Sequence, residues 1–337
     1  MGSLFSSSSK LADVPDLTGC VAIVTGANGG IGYQTVKQLA SRGAKVYLGA
    51  RSEAKAAAAI QKMHDEGLGN RPGEVVWLDL DLADPRQAKA AAERVLAREQ
   101  RLDILSTATE FKATADGLSE NMLVNHLSPF LFTNTLLPLL IATAALPDAD
   151  VRIVNVTSEG HNMAKHPRFD TLEALHERHS SKWTLYGAPP PPLSSRDGGS
   201  ADLDLDLVGA GHTKLANILH AKELQRRLDA QGARIIVTAI HPGMVMSEGA
   251  DVLLRTLPLG SLIVKILPLF TTPLARGGDP SVFAAAAPAV RARADEFRGA
   301  YLLPVGKIAL PSKDARDERL AGALWATSEK QLAALGL

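Results

Sequence analysis

The chain has a single cysteine, Cys20, which excludes an internal disulfide and points to a reducing compartment such as the cytoplasm. At the head of an apolar run, it reads as a small buried residue. Neither sign of charge is in excess. With 36 lysines and arginines against 36 aspartates and glutamates, the balance suggests no polyanionic partner such as nucleic acid. Nor is there an apolar run long enough to form a transmembrane segment: the most lipophilic stretch, 257–274, is broken by Pro258, Gly260, Lys265, Pro268 and Pro273. The first ten residues lack the apolar core of a secretory signal and the arginines of a transit peptide, so 1–16 is expected to be a disordered tail. His126, His161, His212 and His241 are scattered without cysteine or carboxylate spacing, and no metal site is expected. A homo-oligomer is compatible with the sequence.

What is present is a regular alternation. The 337 residues, 46% of them apolar, can bury one large α/β core. Strand-like runs at 21–25, 45–50, 75–80, 102–105, 152–156, 234–240 and 300–303 alternate with helical patterns at 33–41, 53–66, 85–99, 118–140, 213–230 and 315–335. That order predicts a doubly wound parallel sheet, here expected as a single domain over 17–337.

Between the first strand and the first helix lies Thr25-Gly26-Ala27-Asn28-Gly29-Gly30-Ile31-Gly32. Glycines at 26, 30 and 32 let the backbone turn tightly and approach a dinucleotide, whose pyrophosphate then sits on free amides at the helix N-terminus. At the end of the second strand, an acidic residue would accept both ribose hydroxyls and repel a 2′-phosphate. The sequence there is Gly49-Ala50-Arg51-Ser52, and the planar, permanently charged Arg51 favours NADP.

The T-G-x-x-x-G-I-G spacing resembles that of the short-chain dehydrogenase/reductase family, and the resemblance runs over nearly the whole chain from Leu17. It implies a Rossmann-type fold and hydride transfer between a nicotinamide and a carbonyl or alcohol. Asp81, before Leu82, resembles the family's adenine-contacting residue, with Asp79 a rival for the role. Ser158, closing Asn155-Val156-Thr157-Ser158, resembles the serine that bonds the substrate oxygen. Asn125, in Val124-Asn125-His126-Leu127, matches the asparagine of the proton relay. Lys214, in Thr213-Lys214-Leu215-Ala216-Asn217, looks like the lysine that lowers the acid's pKa and holds the nicotinamide ribose, as in the retinol-dehydrogenase-like branch. After 235–240, His241-Pro242-Gly243-Met244-Val245-Met246-Ser247 is similar to P-G-x-V-x-T, which implies carboxamide contacts from Val245 and Ser247.

Two places depart from the family pattern. The resemblance implies a tyrosine four residues before Lys214, so that both lie on one helical face, but Ala210 stands there. Lys182-Trp183-Thr184-Leu185-Tyr186-Gly187 resembles what normally runs into this lysine, and deleting 188–211 would restore Y-x-x-x-K. Tyr186 is therefore the candidate acid. Four prolines at 189–192, the Gly198-Gly199 pair and the Asp-Leu alternation at 202–207 read as an inserted loop over 188–211. After the fourth strand, Leu105-Ser106-Thr107-Ala108-Thr109 replaces the family's Asn-Asn-Ala-Gly. The expectation is an NADP-dependent oxidoreductase acting on a lipophilic small molecule under a lid at 250–280. Its alternative is an impaired NADP-binding paralogue or a mis-spliced form.

Overall fold

A computed structural model describes residues 13–70, 72–108, 121–164, 166–175, 207–245 and 271–337, the side chains of 207–210 excepted. Tyr186, Ser247, most of the expected insertion and much of the expected lid lie outside them.

Eight strands form one sheet in the order β3-β2-β1-β4-β5-β6-β7-β8. They are β1 (Val21–Thr25), β2 (Lys45–Ala50), β3 (Val75–Asp79), β4 (Ile104–Thr107), β5 (Val151–Val156), β6 (Ile235–Ile240), β7 (Tyr301–Leu303) and β8 (Lys307–Ala309). Every pairing from β3 through β7 is parallel, and only β8 runs antiparallel, on β7. The sheet is covered on both sides, which explains why its central strands are buried along their whole length and mostly apolar rather than alternating.

On one face, Ala22, Val24, Val46, Leu48, Val154 and Ile236 pack with the helices α1 (Gly30–Ala40) and α2 (Glu53–Glu66). On the other, Ile23, Leu105, Ile153 and Val237 meet α3 (Pro85–Leu96), α4 (Ser128–Ala144) and α5 (Leu207–Ala230). Two more helices complete the layers: α6 (Asp279–Ala286) joins the α1 face and α7 (Glu318–Ala334) the α5 face. This is the doubly wound parallel architecture expected from the alternation. By length and composition, one helical stretch among the described residues, Leu123–Ala144, could cross a membrane. Phe130, Phe132, Leu136 and Leu140 bury it in the core instead.

Several boundaries move. Val14 and Leu17 are buried, and Leu17 N–H donates to the Arg42 carbonyl at 2.7 Å, so the fold begins inside the segment expected to be a tail. β4 is assigned from Ile104, two residues later than expected, and includes Ser106 and Thr107, while Asp103 still bonds both neighbouring strands, its N–H donating to the Val21 carbonyl at 2.9 Å and its carbonyl accepting the Arg152 N–H at 2.8 Å. At the far end of the expected lid, Asp279 and Pro280 already belong to α6, which is buried along its whole length. Finally, α5 begins at Leu207, so the last five residues of the expected insertion are helical.

Candidate active site

In a parallel sheet all carboxyl ends face the same edge, and a crevice opens where the strand order reverses, here between β1 and β4. The turn from β1 to α1 lies at that crevice. Gly26 has φ +59°, a left-handed conformation that other residues rarely adopt. A Cβ on Gly32 would lie 2.4 Å from the Gly26 carbonyl oxygen, so the close fold of helix on turn depends on hydrogen at that position. Gly29 precedes α1 with no side-chain cap, and the first turn carries no acidic residue. Its amides thus face outward without a competing carboxylate, as a pyrophosphate requires. Asn28 and Ile31 flank this turn, both partly exposed.

The loop after β6 closes toward the same place. Val245 bridges to Thr272, and Gly277 brings Val245 and Ile31 together: a Cβ there would lie 3.1 Å from Val245 Cγ1 and 3.5 Å from Ile31 Cγ1. The turn after β6 and the glycine turn therefore form adjoining walls. Thr25 Oγ1 supplies the third, accepting the Ala108 N–H at 3.0 Å and holding the chain after β4 against β1.

The elements that carry Asn125, Ser158 and Lys214 are bonded to one another. Asn125 sits in a π-turn, Leu123–Leu127, of the kind often found at functional sites. Its Nδ2 donates to Thr213 Oγ1 at 3.2 Å, next to Lys214 on α5. Thr157 Oγ1 donates to the Lys214 carbonyl at 2.7 Å, tying the end of β5 to the same helical turn. Ser158 follows Thr157 and opens a 3₁₀ turn, Glu159–Met163, in which its Oγ accepts the Gly160 N–H at 3.1 Å and keeps its own proton to donate. His161 fixes that turn. Its Nδ1 donates to the Ser158 carbonyl at 2.7 Å while its Nε2 accepts the Ser312 N–H at 3.2 Å.

Burial pushes the Lys214 ammonium down from 10.5 to about 8. A proton there is exchangeable near neutrality, a perturbation of the kind that clusters at functional sites. Thr157 and Thr213 were not singled out from the sequence, although their places beside Ser158 and Lys214 were the signal. Between elements, they hold the site together.

The chain is similar to known proteins over most of its length. The sequence profile described as short chain dehydrogenase matches residues 20–167. A short-chain dehydrogenase/reductase of Armillaria gallica is 44% identical, covering 97% of this chain and 98% of the relative. The chain belongs to the short-chain dehydrogenase/reductase family. Human retinol dehydrogenase 12 is 32% identical over 93% of this chain and 86% of its own length. Among solved structures, an uncharacterized protein from Mycobacterium paratuberculosis superposes with a TM-score of 0.62 at 25% identity, covering 95% of this chain and 96% of that one. The chain is thus an oxidoreductase of a family that uses a nicotinamide dinucleotide and acts on CH–OH and carbonyl groups.

Within a short-chain dehydrogenase/reductase site, the position one turn before Lys214 matters most. Here α5 runs unbroken through Leu207, and Ala210 occupies that position. The helix packs so closely here that a Cβ on Gly211 would lie 2.8 Å from the Gly160 carbonyl oxygen and 3.0 Å from the Ala164 nitrogen. At the adenosine end, Arg51 is exposed directly after β2. Asp79 is engaged by Arg94 at 3.9 Å, whereas Asp81 makes only a local turn, accepting the Ala83 N–H at 2.9 Å.

Proposed function

We propose that this protein interconverts a hydrophobic alcohol and its aldehyde or ketone with NADP as the hydride carrier. Gly26, Asn28, Gly30, Ile31 and Gly32 cradle the pyrophosphate, Arg51 takes the 2′-phosphate, Asp81 the adenine, Lys214 the nicotinamide ribose, and Val245 with Ser247 the carboxamide. When bound, the nicotinamide supplies or accepts the hydride. Ser158 donates its hydroxyl proton to the substrate oxygen and orients it. Tyr186 gives up the proton that the developing alkoxide needs, the Lys214 ammonium favours its ionised form, and Asn125 links the lysine to the proton relay.

The observation that carries this reading is the convergence of Asn125, Ser158 and Lys214 through the Thr213 and Thr157 hydroxyls, at the edge where the glycine turn opens. An apolar substrate is favoured by the lipophilic 257–274 segment and by the likeness to a retinol dehydrogenase. Ala210 favours a second reading, an NADP-binding chain whose turnover is impaired because no phenol precedes Lys214 on α5.

One comparison decides between them. The full chain and a form lacking 188–211 are each given NADPH and a panel of lipophilic carbonyls. Turnover by the full chain, lost in Tyr186→Phe, supports the first reading. Turnover only in the shortened form supports the second. Failure of both forms to bind NADPH would refute the two together.

A further inference from the structure

Directly after Asn125, the His126 side chain points away from the crevice into the core, where it is fully buried. Its Nε2 lies 2.8 Å from Ser328 Oγ on α7, and that hydroxyl donates its one proton to the Leu324 carbonyl at 2.7 Å. The imidazole is therefore the donor, and His126 is the Nε2–H tautomer. Its ring packs against Phe130 at 5.8 Å and edge-on to His220 at 5.8 Å, while Trp325 closes the cluster edge-on to Phe130 at 4.7 Å. His220, on α5, is held in turn by Asn155 of β5, with Nδ1 3.4 Å from Asn155 Nδ2.

We propose that His126 is a positioning residue for Asn125, and that its bond to Ser328 lets the C-terminal helix set the place of the catalytic asparagine. The inference rests on the role given to Asn125 above. A π-turn carries one residue more than an α-turn and is a rare interruption of a helix. If the extra residue is absorbed, each following position rotates by roughly 100° about the helix axis. Asn125 then no longer meets Thr213. His126, one residue on and about 100° round the axis, is anchored on α7 and opposes that rotation, because turning the backbone would pull its imidazole off Ser328.

The test combines amide hydrogen exchange with kinetics on the full chain and on the form lacking 188–211. In His126→Phe and Ser328→Ala, exchange across 123–127 should rise about tenfold, the equivalent of one lost hydrogen bond, while the glycine turn at 26–32 stays protected. His126→Gln, which restores an N–H donor, should return exchange to near the wild-type level. In whichever form turns over, His126→Phe should lower kcat with the Kd for NADPH unchanged, and should cause no further loss in an Asn125→Ala background. Wild-type exchange at 123–127 in both His126→Phe and Ser328→Ala would overturn the proposal. So would an equal loss of kcat with and without Asn125. Full activity in Asn125→Ala alone would instead refute the role of Asn125, and the exchange data would still decide whether His126 holds the turn.

Discussion

Replacing Lys214 by methionine should make the protein more stable and less functional at once. Burial alone moves its ammonium from 10.5 to about 8, and no carboxylate among the described residues pairs with it. Each tenfold change in proton affinity is worth about 1.4 kcal/mol, so holding the charge costs at most about 3 kcal/mol. The sign fixes the pH dependence. Below pH 8 the group is charged whether the chain is folded or unfolded, and the cost is felt in full. Between 8 and 10.5 the unfolded chain binds more protons than the folded one, so the stability of the wild type climbs with pH. Denaturant unfolding should therefore show Lys214→Met ahead by about 1–3 kcal/mol at pH 7, with the gap closing by pH 10.5. NADPH-dependent turnover should be lost at both. A methionine form less stable than the wild type at pH 7, or a gap indifferent to pH, would refute the claim that this lysine is kept for chemistry at the fold's expense.

Gly32→Ala should weaken NADPH binding by about ten- to a hundredfold in a fluorescence titration, because relieving a 2.4 Å contact requires the turn to open at a cost of about 1–3 kcal/mol. Gly322→Ala is the control: in mid-helix α7, with nothing within 4 Å, it should leave affinity alone and add up to about 1 kcal/mol of stability. Arg51→Ala should weaken NADPH by about tenfold or more and NADH little, since only the former offers a 2′-phosphate to a guanidinium; equal losses would remove Arg51 from cofactor choice. Burial pushes His220 from 6.5 to about 4, so the unfolded chain gains the proton first as pH falls. The share of folding stability linked to this group should be complete above pH 6.5 and fall by about 3 kcal/mol on reaching pH 4, a loss that His220→Gln should blunt in acid unfolding curves.

The central layers were legible because burial on both faces writes itself into β1, β2 and β5 as mostly apolar runs, and because Ser52 and Gly67 punctuate α2. Where a polar residue is buried for a tertiary reason, the pattern misleads. Asp103 interrupts an apolar run yet is buried at the sheet's edge, its carboxylate accepting the Val21 N–H and pairing with Arg101. α6 was missed since its Val282-Phe283-Ala284-Ala285-Ala286 run is buried all round and has no amphipathic period, and β8 since a three-residue edge strand carries almost no signal. At the site, Asn125, Ser158 and Lys214 could be read from their motifs. The hydroxyls of Thr157 and Thr213 and the His126–Ser328 bond join elements far apart in the chain, and no local spacing encodes them.

The interrupted motif has a physical reading of its own. α5 reaches its neighbour at Gly211, where any side chain would strike Gly160 and Ala164, and Ala210 stands before it. Removing 188–211 would put Gly187 in the place of Gly211 and Tyr186 in the place of Ala210, with His212, Thr213 and Lys214 following unchanged. The one position that tolerates only glycine would still hold glycine, and the position that lacks an acid would gain a phenol one turn from the ammonium. The shortened chain should therefore fold as stably as the full one and turn over faster. In that chain Gly187→Ala should destabilise by about 1–3 kcal/mol in thermal or denaturant unfolding, through the contact that Gly211 now avoids. If Gly187→Ala is harmless there, the shortened helix docks elsewhere, and recovered activity could not be credited to a tyrosine placed beside Lys214.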